Sequence, residues 1–321
     1  MRRPGAPSGP RLGRRALLAG AMAALGLRAA AQEAAPTSPP EPDPRLVAAA
    51  DQVALAWVVT GDAEVDRASA AGLLGLSAGL TARTTVEPGP PVAVDLAVDD
   101  LSLLTFLYWP VTDAQPLPPP MAYLRLNHFL RTGGVILFDT RDGDIAGTGA
   151  PDGSPALRAL AAPLEIPPLA PLPPDHVLTR SFYLLETLPG RYEGAQVWVE
   201  APAAEGRPGA PAAFGAASRN DGVSPVIIGG NAWAEAWALD RDGLPLFTVG
   251  RGAEGERQRE MALRSGINII MYVLTGNYKS DQVHVPELLE RLRRRDAYRA
   301  LDEPLRVPDL PAWPEPGDRL R

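Results

Sequence analysis

The chain has 321 residues, of which 45% are hydrophobic and 21% charged, and it contains no cysteine. This composition excludes a collagen, a disulfide-stapled scaffold and thiol-based catalysis, and the length allows one large domain or two small ones. The formal net charge is −7. An acidic surface disfavours nucleic acid as a partner, because phosphate backbones repel it.

The first 31 residues have the features of a bacterial export signal. They hold six arginines and no acidic residue, and an apolar run of twelve residues follows the pair Arg14-Arg15. Three alanines at 29–31 then provide a small-residue cleavage site. The arginine pair followed by two leucines resembles a twin-arginine signal. A permanent membrane anchor is disfavoured, because twelve helical residues span about 18 Å of a core about 30 Å thick.

Cleavage of this segment would leave 25 basic and 38 acidic residues and a net charge of −13. No later segment reaches the roughly 18 apolar residues of a membrane-spanning helix. We therefore expect a periplasmic chain without stable membrane insertion. Residues 32–50 contain five prolines and are predicted to form an extended linker.

Strands and helices alternate in the first part of the expected domain, which covers residues 51–284. Apolar runs bounded by turn residues predict strands at 53–59, 103–109 and 135–138. Asp62 is placed to cap a helix that ends near Thr84. A second helix is expected to begin after the prolines at 118–120 and to carry Met121, Leu124, His128 and Phe129. This alternation predicts an open, mostly parallel α/β sheet flanked by helices, of the flavodoxin type.

The second half has a looser pattern. The proline- and glycine-rich stretches 163–174 and 201–224 are predicted loops. The remaining expected elements, in chain order, are a short ordered segment at 177–185, an exposed strand at 196–200, a buried strand at 225–230 and a helix at 254–274. Gly276 is the expected C-cap of that helix. A further helix and a proline-rich tail are predicted within 285–321.

The segment Gly75-Leu76-Ser77-Ala78-Gly79 matches the G-x-S-x-G pattern of a nucleophile elbow. An elbow needs a strand directly before the serine, whereas this segment lies inside a predicted helix. Its glycines are therefore expected to allow close packing of the helix on the sheet instead. A second pair of interest is Trp233 and Trp237, which would share one helical face and are expected to be buried rather than to stack on a sugar.

A polar cluster follows the predicted strand at 135–138. It contains Asp139, Thr140, Arg141, Asp142 and Asp144, at the carboxyl end of a strand, where open α/β sheets bind their ligands. A polar turn is the first interpretation, a ligand-facing loop the second, and a metal site the third. The spacing lacks the calcium-loop pattern, so a metal is the least favoured of these.

The three histidines, His128, His176 and His284, lie far apart and lack zinc-site spacing. His176 is the better functional candidate of the three, although a structural role is favoured for it. No phosphate-binding or dinucleotide-binding glycine motif is present, and we expect no cofactor. The predicted contact rim joins two segments and consists of Asp139, Thr140, Arg141, Asp142, Asp175, His176, Arg180 and Ser181.

Seven ordered motifs resemble the bacterial family known as domain of unknown function 4159. They are WVVTGD (57–62), RTTVEPG (83–89), LYWP (107–110), GGVILFDTR (133–141), DHVLTRSFYLL (175–185), DGVSPVIIG (221–229) and LTGNYKSD (274–281). The resemblance implies a fold similar to that of class I glutamine amidotransferases. It transfers no catalytic residue, and the chain has no cysteine to act as their nucleophile.

These observations favour an exported α/β domain that binds an envelope protein or a small ligand without catalysis. One alternative is a hydrolase acting on an envelope carbohydrate or ester, with Asp139 and His176 as acid and base. That alternative requires both side chains to reach one cleft, directly or through one water. A second alternative is a purely structural module.

Overall fold

The structure is a computed structural model that describes residues 52–144, 154–202 and 222–299. Residues 276–299 are described as helical backbone only. The predicted export signal at 1–31, the linker at 32–50 and the tail beyond Arg299 lie outside the described residues. The predicted loop at 201–224 is outside them for most of its length.

Seven strands form one sheet. They are β1 (Leu55–Val58), β2 (Val92–Val94), β3 (Phe106–Pro110), β4 (Val135–Asp139), β5 (Leu169–Pro171), β6 (Trp198–Glu200) and β7 (Val226–Gly229). Their order across the sheet is β2-β1-β3-β4-β7-β6-β5. The first five strands in this order, from β2 through β1, β3 and β4 to β7, are parallel. Strand β6 pairs antiparallel with β7, and β5 pairs antiparallel with β6. The predicted open, mostly parallel sheet is confirmed, with a strand order of the flavodoxin type.

Within the described ranges, five α-helices cover the two faces of this sheet. They are α1 (Ala63–Arg83), α2 (Pro120–Arg131), α3 (Pro155–Ala161), α4 (Trp233–Trp237) and α5 (Gly252–Arg299), with a short 3-10 turn at Val177–Thr179. One core lies between the sheet and α1, α4 and α5, and the other lies between the sheet and α2 and α3. The central strands β3 and β4 are buried along their whole length. Their continuous apolar sequences follow from burial on both faces.

Helix α1 begins and ends where the sequence predicts. The Asp62 carboxylate accepts hydrogen bonds from the backbone N–H groups of Glu64 and Val65. The Thr84 backbone N–H and hydroxyl both donate to the carbonyl of Leu80 and close the last turn. These contacts satisfy groups that a helix otherwise leaves unpaired at its ends.

The glycines of α1 serve close packing, but against helices α4 and α5 and not against the sheet as predicted. A methyl group at Gly75 would overlap the carbonyl oxygen of Trp237, and one at Gly72 would overlap that of Ala234. Gly79 faces Leu263 of α5. Helix α1 therefore approaches α4 backbone to backbone, and Ser77 lies within this helix rather than on an elbow.

Ser77 provides a direct test of this packing role. Its hydroxyl is buried and has no hydrogen-bond partner in the described part of the chain. We expect Ser77→Ala to raise the free energy of unfolding by about 1 kcal/mol, because it removes an unpaired polar group and favours the helix. Ser69→Ala is the matched control, since the Ser69 hydroxyl donates to the Val65 carbonyl at 2.8 Å. Denaturant titration of both variants measures the difference, and a loss of stability in Ser77→Ala would contradict the packing role.

Three predictions need correction. Strands β2 and β5 were not predicted, because each has only three residues and lies beside prolines. The strand at 196–200 is not exposed. It lies between β7 and β5, with Val199 buried. Helix α5 does not end at Gly276 but continues to Arg299, because glycine permits a left-handed cap without requiring one. Ser154 caps α3, where its side chain accepts a hydrogen bond from the Leu157 backbone N–H.

None of the described helices has both the length and the apolar character needed to cross a bilayer.

Candidate functional site

Asp139 lies at the carboxyl end of β4 and is completely buried. Its Oδ1 accepts hydrogen bonds from the backbone N–H groups of Arg141 and Ala232, both at 3.1 Å. Its Oδ2 accepts one from the Tyr108 hydroxyl at 2.8 Å and one from the Trp233 backbone N–H at 2.7 Å. Four donors therefore occupy the carboxylate, and it joins the ends of β3, β4 and β7.

Two left-handed residues create this arrangement. Arg141 has a φ of 58° and Ala232 a φ of 51°, and neither is a glycine. This conformation costs a non-glycine residue about 1–2 kcal/mol, so the hydrogen bonds that both residues donate to Asp139 help to stabilise it. The sequence shows no sign of either conformation, since asparagine or glycine would be the usual residue there.

Glu235 forms a second charged cluster one turn into α4. One oxygen accepts from Nε and Nη2 of Arg141, at 3.2 and 3.0 Å, and the other accepts from Arg191. The Arg191 guanidinium also stacks over the ring of Phe247, 5.5 Å from its centre. Glu235 is buried, and two arginines compensate its charge. Arg141 links this cluster to Asp139, because its backbone N–H donates to Asp139 and its guanidinium donates to Glu235.

Burial raises the pKa of Asp139 to about 6, although the four donated hydrogen bonds act to lower it. Burial, with the charge of Asp139 as the next cause, also raises the pKa of the Tyr108 hydroxyl well above its ordinary value. Tyr108 therefore stays protonated and donates to the carboxylate. None of these contacts leaves Asp139 or Tyr108 facing an open cleft, where it could accept a proton from a ligand.

A small cleft opens beside this cluster, between the loops that follow β4 and β7. Thr140, Asp142, Gln196 and Gly230 contribute to its walls, and its volume is about 20 Å³. This volume has room for about one water molecule. The Thr140 hydroxyl donates to Asp142, and it also lies 3.2 Å from the Gly229 carbonyl. The described loops therefore hold each other closed at the edge where an open α/β sheet would bind a ligand.

The connection from β7 to α4 has the local geometry of a nucleophile elbow. A strand, a sharp turn with a left-handed residue and a helix follow one another at Gly229, Ala232 and Trp233. In an elbow the residue at the turn carries the nucleophile. Here that residue is Ala232, which is buried and has only a methyl group. This turn was not predicted, although the double glycine after a buried strand was a signal available for it.

The second half of the predicted rim is held against α5. His176 Nδ1 accepts a hydrogen bond from the Leu178 backbone N–H at 3.1 Å, and its ring packs on Tyr272. Burial lowers the pKa of His176, against the opposing charge of Asp175. The Ser181 hydroxyl donates to the Asn268 carbonyl. His176 therefore begins a 3-10 turn, and the structural role expected for it stays a prediction.

Asn268 is the residue that anchors this loop, and no sequence pattern predicts this role. Its amide NH₂ donates to the carbonyls of Leu178 and Tyr183, and its side-chain oxygen accepts from the Tyr183 backbone N–H. The side chain is completely buried. Asp175 and Arg180 remain exposed on the loop that Asn268 holds.

The two halves of the predicted rim lie near opposite ends of strand β7. Asp139 pairs with Gly229 at the carboxyl end of β7. The hydroxyl of Tyr272, on which His176 packs, accepts from the Ser224 backbone N–H just before that strand begins. Extended chain from Ser224 to Gly229 covers about 15 Å. The structure therefore brings Asp139, Thr140, Arg141 and Asp142 together, and it holds Asp175, His176, Arg180 and Ser181 elsewhere.

No cluster of three or more histidine, aspartate or glutamate side chains suited to a metal ion occurs among the described residues. No curated protein matches the sequence. The model of a family described as "Domain of unknown function (DUF4159)" matches residues 54–274. This match covers more than half of the chain and runs from β1 into α5. The chain therefore belongs to the DUF4159 family.

Proposed function

We propose that this chain is a non-catalytic binding domain of the bacterial cell envelope, exported by its N-terminal segment and acting through contact with another envelope protein. The observation that supports it best is the closed carboxyl edge of the sheet. Asp139 accepts four hydrogen bonds from the chain itself, and Ala232 occupies the turn where an elbow would carry a nucleophile. The neighbouring cleft has room for about one water.

A small organic ligand fits this edge less well than a protein partner fits the surface. The exposed charges of Asp175 and Arg180 are carried by a loop whose backbone Asn268 anchors at Leu178 and Tyr183. An anchored backbone loses less loop entropy on binding, which favours affinity. The likeness to the class I glutamine amidotransferase fold belongs to the same proposal, with Ala232 in place of a nucleophile.

The hydrolase alternative has no contact that favours it. It needs Asp139 and His176 at one cleft, and the two side chains are held at opposite ends of β7.

Crosslinking in intact cells tests the partner proposal. We expect a crosslinked envelope protein with the wild-type chain and a loss of at least about tenfold on charge reversal of Asp175 and Arg180, since reversed charges repel a complementary surface. The matched control reverses Arg241 and Asp242, an adjacent exposed pair of opposite charges on another loop. Equal crosslinking by all three proteins would overturn the assignment to this loop. Turnover of an ester, glycoside or phosphate by the purified chain, lost in Asp142→Asn, would overturn the non-catalytic reading.

Export is tested separately by cell fractionation. We expect the chain in the periplasm, shortened by its first 31 residues, and we expect Arg14→Lys combined with Arg15→Lys to leave the full-length chain inside the cell. Fusion of the same 31 residues to an unrelated folded reporter provides the control. Export of the doubly substituted chain would contradict the twin-arginine route.

A further inference from the structure

His176 caps the short turn that separates the exposed charges of Asp175 and Arg180. Its Nδ1 accepts a hydrogen bond from the Leu178 backbone N–H at 3.1 Å, at the start of the 3-10 turn Val177–Thr179. A ring nitrogen that accepts a hydrogen bond carries no proton, so the single proton of a neutral imidazole lies on the other nitrogen. The cap therefore requires a neutral His176 with its proton on Nε2.

A protonated His176 cannot form this cap. Both ring nitrogens of an imidazolium are donors, so the proton on Nδ1 would point at the Leu178 N–H. The free N–H groups at the start of a helical turn carry partial positive charge, and they repel the added charge as well. Both effects favour movement of the ring away from the turn.

Loss of the cap leaves a donor that water cannot reach in the closed loop. Leu178 is completely buried and belongs to the core beside α5. A buried N–H without an acceptor is costly, so opening of the turn becomes more favourable once His176 is protonated. Asn268 still holds the chain at Leu178 and Tyr183 through hydrogen bonds that involve no titrating group. The opening is therefore confined to the turn and does not unfold the domain.

The groups that face the ring keep it neutral at neutral pH. Burial lowers the pKa of His176, and the negative charge of Asp175 opposes this more weakly. On the α5 side, the ring packs on Tyr272 with the ring centres 5.6 Å apart. Burial raises the pKa of Tyr272 to about 12, with the charge of Glu200 on β6 acting in the same direction. Tyr272 therefore stays uncharged, and its hydroxyl already forms hydrogen bonds with the segment before β7.

We propose that His176 is a pH-sensitive switch, which holds the turn between Asp175 and Arg180 closed while it is neutral and releases the turn when it is protonated. The switch is a property of the chain itself. Its consequence, weaker contact with the envelope partner at low pH, rests on the function proposed above. Two charges on a closed turn have a fixed spacing, whereas an opened turn loses more entropy when a partner binds.

Amide hydrogen exchange of the purified chain tests the switch between about pH 7.5 and about pH 4.5, with rates corrected for their intrinsic pH dependence. We expect the protection of residues 176–180 to fall about fivefold as the pH decreases, which is the effect of a typical cap. The lowered pKa of His176 gives the sign, because the stability of the closed turn is present at neutral pH and lost as the pH falls. Strand β3 should keep its protection. Protonation of Asp139 acts in the opposite direction and cannot produce this loss.

His176→Asn is the matched variant, because the asparagine side-chain oxygen caps a helical turn and does not titrate. We expect this variant to keep the turn protected over the whole pH range. His128→Asn makes the same change at an exposed histidine of α2 and should retain the wild-type pH dependence. An equal loss of protection at low pH in wild type and His176→Asn would overturn the switch.

The imidazole nitrogen resonances of the wild type give a second measurement, which is decisive even if His176→Asn folds poorly. Nδ1 of His176 should be unprotonated at neutral pH, and it should gain its proton at the same pH at which the turn loses protection. A proton already on Nδ1 at neutral pH, or two separate midpoints, would overturn the switch.

Crosslinking in intact cells at about pH 7 and about pH 5 separates the switch from the proposed partner. We expect the wild-type crosslink to weaken about fivefold at the lower pH and the His176→Asn crosslink to persist. Equal weakening in both chains would overturn the effect of the switch on binding. A chain that shows the pH-dependent exchange but forms no crosslink at either pH would confirm the switch and contradict the partner.

Discussion

Gly75→Ala is expected to lower the free energy of unfolding by about 3 kcal/mol or more, and the melting temperature by about 10 °C. The added methyl group would overlap the backbone carbonyl oxygen of Trp237. Helix α4 cannot move away cheaply, because the Trp237 indole donates to the Ala262 carbonyl at 2.7 Å. Relief of the overlap would separate α1 from α4 and open the core that both helices cover.

The sign of this effect makes it informative. In an isolated helix, alanine is more stable than glycine by about 1 kcal/mol. We therefore expect a loss of stability where helix propensity alone would give a gain. Gly79→Ala should cost less, because its methyl group would meet the Leu263 side chain at 2.7 Å, and a side chain can shift more easily than backbone. Leu74→Ala, at an exposed position of the same helix, is the control. Thermal and denaturant unfolding of the three variants measures the order.

Asp139→Asn should lower the free energy of unfolding at neutral pH by about 2–3 kcal/mol. Asparagine has one acceptor oxygen, and its NH₂ group would face at least one backbone N–H that now donates to the carboxylate. Ala232 and Trp233 are fixed by α4 and cannot turn away. Asp144→Asn, in the same loop but exposed, is the control and should change stability little.

The same variant reports the titration of Asp139. The pKa in the folded chain is about 6, above the ordinary value of 3.8. Proton binding therefore favours the folded state, and the resulting stability is present at low pH and lost as the pH rises through 6. The stability difference between wild type and Asp139→Asn should grow by about 1 kcal/mol from pH 7 to pH 5. Of the four donors, only the Tyr108 hydroxyl can rotate to accept the added proton.

Titration of His176 changes the stability in the opposite direction. The contribution of Asp139 must therefore be measured by comparing wild type with the variant. Its lowered pKa gives stability that is present above its ordinary pKa and lost as the pH falls. Because His176 is common to both proteins, its contribution cancels in the difference. A difference that stays constant between pH 5 and pH 7 would mean that Asp139 remains ionised over this range.

The elements with strong local signals could be predicted from the sequence. Helix α1 combines an Asp62 cap with a long helical segment, and the all-apolar runs of β3 and β4 fit strands that are buried on both faces. The burial of Trp233 and Trp237 is confirmed as well. Strands β2 and β5 could not be predicted in the same way. Three residues are too few to show an alternating pattern. These segments become strands because they pair with a neighbouring strand, and not because of their own β-propensity.

The candidate site could be predicted only in part. The position of Asp139 at a strand end follows from the sequence, but its burial depends on Tyr108 from one neighbouring strand and Trp233 after another. The prediction of a single rim also requires two polar segments to meet, whereas the topology separates them along β7. Such contacts join residues far apart in sequence, and no local pattern encodes them.

The two borders of the sheet limit how this domain can associate. Border strands β2 and β5 have three residues each; prolines at 90–91 precede the first, and Pro171 ends the second. Proline lacks the N–H group that an incoming chain would need, and such short strands offer few backbone groups for pairing. Growth of the sheet into fibrils, or capture of an extended peptide as an eighth strand, is therefore unfavourable. Association is left to side-chain surfaces, which single substitutions can tune without risk of polymerisation.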